Sequence, residues 1–182
     1  MLFQVVSLLL DVAVGMLAGA CLLRLYMQLI RSGFSNPVGA FVFSLTNWMV
    51  LPLRRVVPPM GRLDTSSLIC AYFLLLAKVV LLVLVAGAEP EAVPTLGWAL
   101  VGLVRLACSA LSALVLAHVL MSWVQTSHLV KAVLERLCDP MLRPIRRVMP
   151  SPGGFDLSPL VVLVLLQVAV IILTGSLPTL LR

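Results

Sequence analysis

The chain has 182 residues, of which 62% are hydrophobic and only 11% are charged, with a net charge of +6. Soluble globular domains average about 45–50% apolar and about 25% charged residues, so this composition excludes a soluble globular protein. Disorder is excluded as well, because disordered segments are poor in apolar residues. The remaining class is an integral membrane protein, for which lipid is the solvent of most of the surface.

Four apolar segments follow one another along the chain, and each is long enough to cross the bilayer. About 20 residues of helix span roughly 30 Å of hydrocarbon, and a helix satisfies its own backbone hydrogen bonds. The sequence therefore predicts an all-α membrane protein with four transmembrane helices. The first is expected to be retained rather than cleaved as a signal peptide. A signal peptide has basic residues before its apolar core, whereas here the first basic residue, Arg24, follows the apolar run. The expected spans are approximately residues 2–23, 68–87, 96–124 and 157–177.

Basic residues are concentrated in the two long loops between the spans. The loop between the first two spans contains Arg31, Arg54, Arg55 and Arg62; the loop between the last two contains Lys131, Arg136, Arg143, Arg146 and Arg147. The short loop between the second and third spans contains acids, Glu89 and Glu91, and no base. The distribution predicts that both long loops are cytoplasmic and that the termini face outward. It favours anionic lipid headgroups over nucleic acid as the ligand of the positive charge.

A motif occurs twice in the chain, at an offset of 92 residues. Residues 52–68 read PLRRVVPPMGRLDTSSL, residues 144–160 read PIRRVMPSPGGFDLSPL, and nine of these 17 positions are identical. We refer to these segments as the first and second copies of the repeated motif. They predict two tandem halves, residues 1–92 and 93–182, each with two spans. Because each half crosses twice, the halves are expected to be parallel rather than inverted repeats.

Each long loop is also predicted to contain an amphipathic helix ahead of the motif. The apolar residues at helical spacing are Val38, Phe41, Val42, Leu45 and Met49 in the first half, and Val130, Val133, Leu134, Leu137 and Met141 in the second. Asn36 and Pro37 are typical of a helix start, whereas Pro52 and Pro144 are expected to end or kink these helices. The helices either pack on the spans or lie in the cytoplasmic interface with their apolar faces toward lipid, and these two arrangements do not exclude each other.

The repeated motif supplies the candidate site, for which two readings stay open. Its paired arginines either anchor the orientation of the spans or bind lipid phosphates. Its glycine permits a tight turn, and its aspartate either caps the following helix or pairs with an arginine to pin the loop. The candidate residues for lipid or partner contact are Arg54, Arg55, Gly61, Asp64, Ser66, Arg143, Arg146, Arg147, Gly153, Asp156 and Ser158.

Three charged residues fall inside the expected spans: Asp11 in the first, Lys78 in the second and Arg105 in the third. Each costs roughly 2.5–3.5 kcal/mol at the centre of a transmembrane helix. Counting inward from one face places all three at similar depth, so we expect a buried charge cluster in the interior of the bundle. The cluster bridges helices, or its bases snorkel toward the surface, or it lines an ion or proton path.

The pattern PxRRxxPxxGxxDxSxL resembles that of the YggT family, also called YlmG-like membrane proteins, over nearly the whole chain. The second copy fits best, from Asp139–Pro140 to Ser158–Pro159–Leu160. The first copy departs from the pattern at Asn47–Trp48, Arg62 and Ser67. If the motif binds a ligand, the first copy is therefore expected to be the degenerate one.

The resemblance implies a bacterial inner-membrane protein without an established enzymatic activity. It implies links to osmotic or extracytoplasmic stress, ion handling or cell division, and, in chloroplast relatives, to assembly of a membrane cytochrome. We predict a non-enzymatic binding or scaffolding protein whose partners are anionic lipids, a membrane protein or a second copy of the chain. A small ion or osmolyte transporter is the alternative, and a lipid-modifying enzyme is a third hypothesis. No cofactor and no metal site is predicted.

Overall fold

The computed structural model describes residues 2–59, 61, 63–123, 128–148 and 156–180, with side chains described from residue 3 to residue 175 of those ranges. Every regular element in that part of the chain is a helix. Four of the helices, α1, α3, α4 and α6, are long and apolar enough to cross a membrane, as expected of a multi-pass membrane protein. The helices are α1 (Leu2–Leu29), α2 (Pro37–Val56), α3 (Thr65–Val85), α4 (Ala92–Trp123), α5 (His128–Val148) and α6 (Ser158–Leu180).

The long helices form a bundle in which α4 is the shared neighbour. Helix α1 packs on α3 and α4, α3 packs on α4, and α4 in turn packs on α6. Ala18 and Cys21 of α1 and Cys70 and Ala71 of α3 are buried in one core cluster. Small side chains at these positions let the two helix backbones approach closely, which is the usual basis of helix association in lipid.

The shorter helices α2 and α5 pack on the long helices of their own half and also on each other. The Tyr26 hydroxyl near the end of α1 donates a hydrogen bond to the Leu137 carbonyl of α5, at 2.7 Å. Arg136 of α5 donates to the carbonyl of Arg31, at 3.3 Å. The end of α1 is therefore bonded directly to α5, and α2 and α5 lie at the same end of the bundle.

Helix α2 begins as the sequence predicts. Asn36 is its N-cap, with the Asn36 Oδ1 accepting a hydrogen bond from the Gly39 amide at 2.8 Å, and Pro37 occupies the first turn. A Cβ atom on Gly39 would lie 2.6 Å from the carbonyl oxygen of Phe34. Glycine at this position therefore lets the preceding loop fold back over the first turn of the helix.

Of the two outcomes expected at Pro52 and Pro144, an end or a kink of the helix, the first does not occur. Each proline lies inside its helix, and α2 and α5 continue to Val56 and Val148. Proline removes a single backbone hydrogen bond, and neighbouring interactions can offset that loss. In both helices the last turn carries two arginines, whose charge interacts favourably with the carbonyl end of the helix dipole.

The first transmembrane helix is longer than the apolar run. Helix α1 continues to Leu29, beyond the predicted end at residue 23, and Arg24 lies inside it rather than in the loop. Arg24 is nevertheless only 2% exposed. A buried guanidinium requires polar partners, and these partners locate the candidate site.

Candidate functional site: two copies of an arginine–aspartate motif

Asp64 of the first copy is completely buried at the start of α3. Its Oδ2 lies 2.6 Å from the Arg54 Nη2 and accepts a hydrogen bond from the Ser67 hydroxyl at 2.9 Å. Its Oδ1 accepts from the Ser67 amide at 3.4 Å. Capping and pairing, the two roles that the sequence left open, are thus both present in one carboxylate.

Arg24 is a second cation at the same carboxylate, with its Nε 3.4 Å from the Asp64 Oδ2. The Arg24 Nη1 donates to the Thr46 hydroxyl at 2.9 Å and to the Asn47 side-chain oxygen at 2.8 Å. The guanidinium also lies 4.6 Å from the centre of the Phe43 ring, within the range of a cation–π interaction. The buried cluster therefore ties α1 and α2 to the start of α3.

The cluster contains two guanidinium groups and one carboxylate, so it holds an excess positive charge. The Nε atoms of Arg24 and Arg54 are buried and have no hydrogen-bond partner among the described residues. Phe34 stacks on Phe43 with ring centres 4.5 Å apart, so a pair of aromatic rings lies beside the charge. Removing the carboxylate would leave two guanidiniums without a counterion, which is strongly destabilising in a buried site.

The second copy has the same pair in a more exposed setting. The Arg146 Nε and Nη2 lie 2.8 and 2.6 Å from the Asp156 Oδ2. The Asp156 Oδ1 accepts a hydrogen bond from the Ser158 amide at 3.0 Å, at the start of α6. The two side chains are 41% and 40% exposed. Partial burial raises the pKa of Asp156, but the hydrogen bonds from Ser158 and Arg146 outweigh it and bring the pKa below its usual value.

The other residues of the motif divide into structural and exposed groups. The Ser66 hydroxyl is buried and donates to the Val57 carbonyl at 2.7 Å. Gly61 has a φ of 61°, which is the left-handed conformation expected of a tight turn. Gly153 lies outside the described residues. Ser158 is buried at the start of α6.

Arg55 and Arg147 of the two motif copies are exposed, and so is Arg143, which lies directly before the second copy. Among the described residues, none of the three has a partner in an ion pair or a side-chain hydrogen bond. In each Arg-Arg pair, therefore, the first arginine binds an aspartate and the second projects from the protein. These exposed guanidiniums are therefore candidates for contact with a ligand.

The charges in the spans come together only in part. Lys78 of α3 forms an ion pair with Asp11 of α1, so the predicted bridge between helices exists. Arg105 has no ion-pair partner among the described residues. The prediction that the cluster is buried is wrong, because the Asp11 side chain is 54% exposed and Arg105 is exposed on α4. Counting along helices gives depth, whereas the direction in which a side chain faces depends on how the helices pack.

Sequence reasoning missed Arg24 as a member of the site. In the sequence the residue marks the border of an apolar segment, and its partners lie in two other helices. One signal could have found it: at the offset of 92 residues, the position of Arg24 corresponds to Leu116. A charge that occurs in only one half points to an interaction that only that half makes.

In the part of the chain that the structure describes, no group of three or more His, Cys, Asp or Glu side chains is placed to hold a metal ion. Cys138 of α5 is buried, and its thiol lies 3.5 Å from the Leu114 carbonyl. Burial raises the pKa of the Cys138 thiol to about 11. Because the thiolate is the reactive form, this cysteine is expected to be chemically inert at neutral pH.

Comparison with known proteins identifies the family. The family model described as CCB3/YggT matches residues 3–85 and 97–177. The chain is 37% identical over 165 residues to "Uncharacterized protein YggT" of Escherichia coli (strain K12), covering 89% of this chain and 85% of that protein. It is 36% identical over 151 residues to "Uncharacterized protein in proC 3'region" of Vibrio alginolyticus, covering 81% and 82%. No solved structure matches. The chain belongs to the CCB3/YggT family, as the repeated motif predicted.

Proposed function

We propose that this chain is a non-enzymatic scaffold of the bacterial inner membrane that holds anionic lipid at its cytoplasmic face. In this proposal the two halves are parallel repeats, both motif copies, α2 and α5 are cytoplasmic, and the termini are periplasmic. One observation carries the proposal. Arg54 and Arg146 are bound to aspartates, whereas Arg55 and Arg147 are exposed and have no ion-pair partner among the described residues.

An exposed guanidinium at the membrane surface is well suited to bind a lipid phosphate. Its planar donors match phosphate oxygens, and each basic residue near an anionic membrane surface contributes about 1 kcal/mol of attraction. Arg55 and Arg147 lie in the last turns of α2 and α5, and Arg143 lies about one turn earlier in α5. Three such residues at one face would give the protein a preference for anionic over neutral lipid.

The outward faces of α2 and α5 suggest how the two helices share this task. Helix α2 exposes Phe41 and Trp48, which are 62% and 64% exposed, whereas α5 exposes Glu135 and Arg136. Tryptophan and other large apolar residues are favoured where a helix lies in the headgroup region of the bilayer. We assign α2 to the lipid interface and the charged face of α5 to the cytoplasm, where a membrane-protein partner or a second copy could bind it.

The family resemblance suggests the setting of the scaffold. We propose a role in the response to osmotic or extracytoplasmic stress, or in the assembly of a membrane complex. The exposed charged face of α5 is the surface on which we expect the protein partner. Photo-crosslinking from position 135 in native membranes would identify it, with position 81 on the apolar face of α3 as the matched control.

Tryptophan fluorescence can test the lipid preference at the proposed face. A variant with Trp98→Phe and Trp123→Phe retains Trp48 as its only tryptophan. In vesicles, acyl-brominated phosphatidylglycerol should quench Trp48 more strongly than acyl-brominated phosphatidylcholine at the same mole fraction. Adding Arg55→Gln, Arg143→Gln and Arg147→Gln should remove the difference, whereas Arg105→Gln should leave it unchanged. Equal quenching by the two lipids in the parent protein would overturn the proposal.

A small ion or osmolyte transporter is the alternative, and the Asp11–Lys78 pair is the observation that favours it. Ionisable residues within the membrane often mark transport pathways. Flux through proteoliposomes separates the two functions. Flux that is abolished by Asp11→Asn would support transport, whereas no flux of potassium, sodium, chloride, protons or small osmolytes would leave the scaffold as the function.

A further inference from the structure

A cavity of about 470 Å³ lies between α3 and α4, near the turn that joins them. We call it the α3–α4 cavity. Its volume lies within the range of about 300–1,000 Å³ that is usual for ligand sites. Its walls are mostly apolar, and they include Leu75, Trp98 and Gly102, with Thr174 of α6 at one side. Among the described residues, the charged groups that line it are Lys78 and Arg105.

Among the described residues, the charges at this cavity do not balance. Lys78 is paired with Asp11, which is the only acidic residue in the four membrane-spanning segments. Arg105 is left without an ion-pair partner among the described residues. An unpaired guanidinium within the hydrocarbon is costly, so a counterion from outside the chain would stabilise it. The three residues together carry one net positive charge.

The directions of the two helices bring the cations toward one level. Helical side chains lean toward the N-terminus of their own helix. Helices α3 and α4 are joined by a short turn and pack on each other, so they run in opposite directions. Lys78 therefore leans away from the turn and Arg105 leans toward it. The lean of the two side chains therefore reduces the difference in depth between the ammonium and guanidinium groups, which line the same cavity.

We infer that the α3–α4 cavity binds one anionic phospholipid, whose phosphodiester pairs with Arg105 and Lys78 and whose acyl chain lies against the apolar wall. The single charge of a phosphodiester matches the single net charge of Asp11, Lys78 and Arg105. The apolar wall disfavours a small hydrophilic anion, and the surrounding bilayer supplies phospholipid at high concentration. This site lies among the spans and is independent of the exposed arginines of the repeated motif.

Trp98 lines the cavity and can report on its occupant. A variant with Trp48→Phe and Trp123→Phe retains Trp98 as its only tryptophan. In vesicles, acyl-brominated phosphatidylglycerol should quench Trp98 about fivefold more effectively than acyl-brominated phosphatidylcholine, as expected for one additional charge pair. Arg105→Gln should bring the ratio to about one, Arg105→Lys should preserve it, and Asp11→Asn should increase it, because the last change leaves Lys78 free for the anion.

Two further variants separate this cavity from the exposed arginines of the motif and from the lipid that surrounds the whole bundle. Arg143→Gln with Arg147→Gln should leave the ratio at Trp98 unchanged, whereas Gly102→Leu should reduce quenching by filling the cavity with an uncharged side chain. Equal quenching of Trp98 by both lipids, or a preference that survives Arg105→Gln in protein with unchanged helical circular dichroism, would overturn the inference. Selective quenching by a brominated fatty acid without selective quenching by phosphatidylglycerol would overturn the assignment to a phospholipid.

Discussion

The two copies of the repeated motif keep the same arginine and aspartate but bury them to different extents. In the first copy, Asp64 is inaccessible and binds both Arg54 and Arg24. In the second, Asp156 binds Arg146, and both side chains are about 40% exposed. The same pair of residue types is therefore part of a buried cluster in one half and a partly solvated link in the other.

The difference arises from the residues that surround the pair. At the offset of 92 residues, Arg24 corresponds to Leu116, Thr46 to Cys138 and Phe43 to Glu135. The first-half residues together hold a buried guanidinium, whereas the second half has Leu116 in place of that arginine. The copy that departs from the family pattern in sequence is thus the one with the more extensive set of interactions. Departure from a motif can mark an added interaction as well as a lost one.

The largest difference is expected when each aspartate is neutralised. Asp64→Asn leaves two guanidiniums without a counterion in a buried site, which typically costs about 3–5 kcal/mol. Asp156→Asn acts on a partly exposed pair and should cost less than about 1 kcal/mol. The free energy of unfolding in mixed micelles titrated with denaturing detergent measures both. Equal losses for the two variants would contradict the comparison.

The energetic coupling between the arginine and the aspartate should also be larger in the first copy than in the second. In a double-mutant cycle, Arg24→Leu and Asp64→Asn should couple by about 2 kcal/mol, because the residues share a desolvated contact and common neighbours. The cycle of Arg146→Leu and Asp156→Asn should couple by about 0.5 kcal/mol or less. Additive losses at Arg24 and Asp64 would show that the buried contact has no energetic role.

Substitution of Gly39 tests how rigidly the loop before α2, which lies beside the first cluster, is held. Alanine is favoured over glycine in a helix by about 0.5–1 kcal/mol, but here its Cβ would lie 2.6 Å from the Phe34 carbonyl oxygen. Because the obstacle is backbone, we expect Gly39→Ala to destabilise the protein by about 1–2 kcal/mol net, as overpacking does. The counterpart change Lys131→Ala should alter stability by less than about 0.5 kcal/mol. A stabilising Gly39→Ala would mean that the loop moves freely.

Features that depend on composition or on a repeat could be predicted from the sequence. The four membrane-spanning helices follow from long apolar runs, and the Asn36 cap follows from the local pattern of Asn36–Pro37. The family follows from the repeated motif, which two matches to one family model confirm. These features are set by neighbouring residues in the chain, so they require no knowledge of packing.

Features that depend on contacts between distant helices could not be predicted. The partner of Arg24 is 40 positions away, at the start of another helix, and no local pattern connects them. The relative depth of Asp11 and Lys78 could be counted, and the two do pair. Their exposure could not, because it depends on which side of each helix meets a neighbour. The residues at which α2 and α5 end could not be predicted for a related reason, since packing can sustain a helix beyond a proline.

The smallest expected effect is the dependence of stability on pH that arises from the exposed Arg146–Asp156 pair. The hydrogen bonds from Ser158 and Arg146 hold the pKa of Asp156 below its unfolded value, which lies near 4. A depressed pKa in the folded state stabilises the protein above the unfolded pKa, and the contribution is lost as the pH falls through the folded pKa. The loss caused by Asp156→Asn should therefore be a few tenths of a kcal/mol at pH 7, because the pair is partly solvated. It should shrink toward zero as the pH falls through the lowered folded-state pKa of Asp156.

Salt provides the control for this interpretation. Added salt should reduce the loss at pH 7, because charges near the surface are screened over about 10 Å at 0.1 M salt. Asparagine can still accept the hydrogen bond from the Ser158 amide, so the substitution removes the charge and keeps the contact at the start of α6. A loss that grew on acidification would require a protonated Asp156 to stabilise the fold, which a carboxylate bonded to Arg146 cannot do. The pH dependence thus tests whether the Arg146–Asp156 pair of the second copy stabilises the protein through its charge. In the first copy, by contrast, the stabilisation depends on the exclusion of water from the buried cluster.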